Sequence, residues 1–114
     1  MPLILNEHPD TVYLVAGVTH PNVLKHQGER YRDGLVALAE ELGVSDSVAF
    51  HNRFLSMEEQ KEFIGGSDIY LTPYCNREQV TSGALAYTFG AGKAIISTPY
   101  RHAEELLADG RGVL

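Results

Sequence analysis

Four short apolar runs, each rich in β-branched or aromatic residues, constrain this 114-residue chain more than any other feature. They are "TVYLVAG" (11–17), "SVAFHN" (47–52), "DIYLTPY" (68–74) and "KAIIST" (93–98). Runs of this length, closed by glycine or polar turns, read as buried strands. Helical patterns separate them. Between 29 and 42, Tyr31, Leu35, Leu38, Ala39 and Leu42 recur at helical spacing and Gly43 supplies a stop. Ser56 with Glu59 three places on is a capping box for a helix over 57–65. Further helices are expected over 83–90 and 102–109, while 19–28, which contains Pro21, reads as a polar connection. Strands alternating with helices predict an α/β fold, a three-layer Rossmann-like domain with a mainly parallel sheet. Ligands of such sheets bind beyond the carboxyl ends of the strands, so candidate residues belong to loops 17–22, 51–55, 72–83 and 97–103.

The length allows one domain at most. A formal charge of −6 and no basic stripe argue against a nucleic-acid surface. No apolar run could span a bilayer as a helix and no signal-peptide pattern is visible, so a cytoplasmic location is expected. Cys75 stands alone, which excludes an internal disulfide, and the histidines lack the spacing of a metal-binding helix. No metal and no cofactor are expected. "PLILNEHPD" reads as a helix cut into and "GRGVL" as a strand begun and stopped. Both ends suggest a piece of a larger protein, with apolar edges prone to self-association.

The glycine-rich run "SGALAYTFGAGKAII" (82–96) invites a phosphate-cradle reading, but two standard cradles fail. A P-loop needs glycine where Tyr87 stands and a hydroxyl where Ala94 stands. A dinucleotide fingerprint must follow a strand and open a helix, whereas Gly90-Ala91-Gly92 closes one. The remaining candidate is the helix start at Ser82-Gly83. Free amides there could hold an anion; equally, Thr81 or Ser82 could be an ordinary N-cap. In "STPYRHAEE" the loop offers Tyr100, Arg101 and His102 at the carboxyl edge, and Glu104 or Glu105 could bind hydroxyls or merely complement a helix dipole. "FHNRF" (50–54) is a solvated turn by local chemistry alone, His20 is a turn residue, and the tyrosines suggest packing.

The stretches "YLVAG", "ERYRDGLVALAEELGVSDSVAFHNRFLSMEEQKEFIGGSDIYLTPY", "TSGALAYTFGAGKAIISTPY" and "AEELLADGRGVL" cover nearly the whole chain. In this order they resemble the C-terminal, donor-binding domain of the group 1 (family 4) glycosyltransferases of GT-B fold. The resemblance implies that residues 1–114 are part of one nucleotide-sugar-binding domain, half of a GT-B fold. It further implies a retaining transferase that moves a sugar from a nucleotide diphosphate carrier to an acceptor hydroxyl, without a metal. The donor is a substrate, and the catalytic residues would lie on an N-terminal acceptor domain absent from these residues. The chain alone is then expected to be inactive.

By that resemblance Asn52, Arg53 and Phe54 lie near the nucleobase. The helix starting at Ser82-Gly83 aims its amides at the donor's phosphates, and Glu105 is the sugar or ribose partner. The family commonly carries E-x7-E, a sugar-binding and a ribose-binding glutamate. Gln79 and Tyr87 occupy those positions here, with Glu78 one place removed. Two alternatives stand beside the transferase: a GT-B sugar-nucleotide epimerase, and a degenerate domain that binds a nucleotide or partner without turnover.

Overall fold

The structure is a computed structural model describing residues Met1–Leu114. The chain forms two compact units, Met1–Leu55 and Ser56–Leu114, and each is described by itself. Both are α/β and both are built on a pair of short parallel strands, as the alternation predicts. The four strands form two pairs, one in each unit.

In the first unit, α1 (Pro2–Glu7) precedes β1 (Tyr13–Ala16), and α2 (Pro21–Gln27) and α3 (Arg30–Glu41) lead to β2 (Val48–His51). The strands pair in register from Tyr13 opposite Val48 to Ala16 opposite His51. Gly17, at φ 127°, adds one more bond by donating its amide to His51 O at 3.1 Å. Residues 21–27, read from sequence as a connection, are helical. Pro21 sits in the first turn, where a missing amide costs nothing, and His20 Nδ1 accepts from Asn22 N at 3.2 Å. The proline therefore starts a helix instead of breaking one.

The amphipathic pattern on α3 is real as helix but only partly as burial. Ala39 is buried, yet Tyr31, Leu38 and Leu42 stay 65%, 46% and 48% exposed.

The second unit runs α4 (Met57–Gly66), β3 (Ile69–Thr72), α5 (Gly83–Gly90), β4 (Ala94–Ser97) and α6 (Arg101–Leu106). The capping box of α4 is present in both halves: Ser56 Oγ accepts from Glu59 N, and Glu59 Oε2 accepts from Ser56 N. β3 and β4 pair from Ile69 opposite Ala94 to Thr72 opposite Ser97. Val113 adds a single isolated parallel bridge to Ile96, and "GRGVL" forms no strand beyond it. Gly112 permits this approach. A Cβ there would lie 2.9 Å from Leu107 Cδ2 and 3.2 Å from Ile95 O.

The core of this unit is Leu85, Ile95, Tyr100, Ala103 and Leu107, flanked by Tyr70, Phe89 and Leu106. Tyr100 lies inside it, whereas its sequence context had placed it at the loop surface. The ring packs edge-on to Tyr74, and the hydroxyl shares a buried 3.1 Å hydrogen bond with Thr72 Oγ1. Burial, with smaller contributions from Tyr74 and Tyr100, pushes the Tyr70 phenol up to about 12.

Candidate functional sites

The carboxyl ends of β1 and β2 open onto a cavity of about 300 Å³. Its walls are largely apolar, with Phe50 and Leu35 among them, and Thr19, His20, Arg32 and Asn52 add polar groups. Glu29 organises one side. Its carboxylate accepts from Thr19 Oγ1 at 2.6 Å and ion-pairs with Arg32 Nε at 3.2 Å. Asn52 thus lines a cavity at the strand edge where a ligand is expected. Arg53 and Phe54 do not line it, and Phe54 is 79% exposed. Arg32 and Thr19 were not singled out in the sequence. The spacing of Glu29 and Arg32 was the only local trace of the clamp.

In the second unit the start of α5 is fixed from three directions. Ser82 is buried; its Oγ accepts from Leu85 N at 3.3 Å and its carbonyl accepts from Ala86 N at 3.1 Å. Its own amide donates to His102 Nδ1 at 2.8 Å. Ser82 is therefore a buried N-cap, with its amide, its carbonyl and an acceptor position of its hydroxyl engaged within the chain. The next two amides, of Gly83 and Ala84, have no acceptor within the chain. They carry the positive end of the helix dipole. Gly83 has room beside it: a Cβ would meet only Tyr87 Cε2, at 3.9 Å. Tyr87, one helical turn on, is half exposed on the same face.

The loop before α5 and the start of α6 cap each other. Arg101 N donates to Arg77 O at 3.0 Å and His102 N to Gln79 O at 3.2 Å, while no side chain caps α6. Ion pairs Arg101–Glu78 (2.8 Å) and Arg77–Glu104 (3.5 Å) cross the same junction. Gln79 turns its side-chain amide to Thr81 O at 3.1 Å. His102 is therefore a structural link between α6 and α5, not a free loop residue. Its partner lies twenty positions away, and no local pattern reveals it.

Glu104 and Glu105 differ in kind. Glu104 is spent on Arg77, whereas the Glu105 carboxylate has no partner within the chain. Glu105 lines a second, polar groove with Val80, His102, Leu106 and Arg111. The second unit thus brings together Ser82, Gly83 and Tyr87 at the α5 start, and joins Gln79 to them through His102. Asn52, Arg53 and Phe54 belong to the first unit.

No helix is long and apolar enough to cross a membrane. Compared with known proteins, the chain matches no family model, no curated protein and no solved structure.

Proposed function

We propose that the chain is the donor-binding part of a retaining, metal-independent glycosyltransferase, acting in the cytoplasm on a nucleotide diphosphate sugar. The observation that carries this reading is the pair of unengaged amides, Gly83 and Ala84, at the start of α5. Two parallel amides at a positive dipole end suit a diphosphate. A helix start of this kind would stabilise charge developing on a departing diphosphate. Catalytic groups and the acceptor would come from elsewhere in the parent protein.

A second reading has support of its own. The side-chain amide of Gln79 is committed to Thr81, and Tyr87 offers no carboxylate, so neither replaces the family's glutamates as they stand. That favours a domain that binds a nucleotide without turnover.

Titrating the isotope-labelled chain with UDP, GDP and ADP tests the binding step. Amide shifts of Gly83 and Ala84 should move with all three. Affinity should be weak, on the order of millimolar, or about −4 kcal/mol. Gly83→Val should remove the response while the fold persists, because the added Cβ meets only ordinary contact. An unchanged response in that variant would take the helix start out of the site.

A further inference from the structure

The 2.8 Å bond from Ser82 N to His102 Nδ1 exists only while that nitrogen keeps its lone pair. Ser82 is 5% exposed, so its amide has little access to water as a substitute. The same histidine holds the loop a second time, through its own amide, which donates to Gln79 O at 3.2 Å. That backbone bond is indifferent to pH. The side-chain bond is not. An imidazolium carries N–H on both nitrogens, and a proton on Nδ1 sets donor against donor. The ring must then leave Ser82, and a buried amide loses its acceptor.

Where the ring goes is set by the charges around it. The loop before α5 contributes Arg77 and Glu78, and α6 contributes Arg101 and Glu104; these pair as Arg77–Glu104 and Arg101–Glu78. From the turn after α6, Arg111 lies 3.7 Å from Asp109 and its Nε donates to Ala108 O at 2.8 Å. Tyr87 is the one titratable group of α5. Glu105 is left. It lines one groove with His102 and Arg111, and its carboxylate has no partner within the chain. It also lies three positions from His102 on the same helix, within reach of the ring. The Arg111 charge opposes a cation in this groove, but Asp109 already answers it.

We propose that His102 is an acid-sensitive clasp on the start of α5. Neutral, it holds the Ser82 amide and so positions the cap from which the Gly83 and Ala84 amides project. Protonated, it releases Ser82 and turns to Glu105. The clasp rests only on the bonds and charges around His102. Its effect on a bound diphosphate rests on the function proposed above. Once the cap is released, the two amides are no longer held parallel, and affinity falls in acid. The added proton does not compensate by attracting the anion, because Glu105 neutralises it.

The test follows the labelled full chain from about pH 8 to about pH 5, the range in which imidazole titrates. The Ser82 amide shift should move together with the His102 ring. His102→Asn places an amide oxygen near the position of Nδ1 and has nothing to titrate, so its Ser82 amide should stay unchanged. The binding arm uses UDP-glucose, whose diphosphate is esterified at both ends and keeps its charge over this range. Across it, wild-type affinity read at Gly83 and Ala84 should fall by about tenfold. The Asn variant should hold its affinity throughout, and His102→Ala should bind at neutral pH as weakly as the wild type does in acid.

A Ser82 amide that ignores the His102 titration overturns the clasp. So does an equal acid response in His102→Asn, or wild-type binding by His102→Ala. UDP-glucose binding with no loss in acid overturns the link to the helix start and leaves the donor reading standing. A clasp that titrates as described, with no UDP-glucose response at Gly83 at any pH, would sink the donor reading and leave the clasp.

Discussion

Residues 1–55 and residues 56–114 follow one plan and reach different results. Each unit pairs two parallel strands of four residues and crosses between them through helix. In the second, five core side chains are 2% exposed or less; in the first, the two most buried hydrophobics, Ala39 and Val44, keep 7% and 6%. The crossover helices explain the contrast. α5 buries Leu85 and Thr88 completely, and Ala103 of α6 and Leu107, which caps that helix, complete the packing around Leu85. α3 carries an equally clear apolar period but leaves Tyr31, Leu38 and Leu42 in water. A hydrophobic period states which face of a helix calls for cover. It does not state that anything covers it.

The largest effect that would sharpen this contrast is at Leu85. Its side chain is fully buried in the centre of the second unit's core. Leu85→Ala removes that packing and leaves a cavity, which costs about 3 kcal/mol. Urea unfolding should register the loss, and amide exchange should speed up in β3 and β4. A change below about 1 kcal/mol would mean that the core yields readily, and the contrast between the units would weaken.

A smaller effect belongs to the polar part of the same core. Thr72 is 2% exposed and its hydroxyl is satisfied by Tyr100. Tyr100→Phe keeps the ring and strands the Thr72 hydroxyl, at a cost of about 1–2 kcal/mol. Tyr70 reports on this region by titration. Its folded pKa of about 12 lies above the ordinary 10.0, so the folded state holds the proton more tightly than the unfolded chain. The stability this gives is complete below pH 10 and is lost as pH rises towards 12. Alkaline unfolding followed by tyrosinate absorbance should show that fall. Tyr100→Phe should lower the Tyr70 pKa only slightly, because burial is the larger cause.

What could be read in advance follows the range of the interaction. The strands were legible because β-branched and aromatic runs are local, and the α4 cap because Ser56 and Glu59 are three residues apart. α2 was misread for a positional reason: the same proline that breaks a helix interior suits its first turn. At the candidate sites, Asn52 and Glu105 were placed by loop position and resemblance, and the structure sets each on the wall of a concave surface. His102 was legible only as a loop residue. Its bond to Ser82 and the opposition of Arg77 to Glu104 join segments twenty or more residues apart. Tyr100 follows the same logic. Nothing near "TPYRH" indicates that the ring turns inward to Thr72.

The smallest effect is the one most able to break the comparison. Leu38 lies in the apolar stripe of α3 and is 46% exposed. Truncating a side chain that is already half in water removes little buried area and opens no cavity. Alanine also favours the helix as well as leucine does. Leu38→Ala should therefore change stability by less than about 1 kcal/mol, well below the loss at Leu85. The same urea experiment measures both variants, so only the difference between them matters. Should Leu38→Ala cost as much as Leu85→Ala, the stripe would have to be covered in solution. The α3 face would then be an interface, and the sparse core of residues 1–55 would describe only the isolated chain. Dilution separates that outcome from a monomeric one: a covered face formed between copies loses the Leu38 effect as concentration falls, whereas the Leu85 effect does not depend on it.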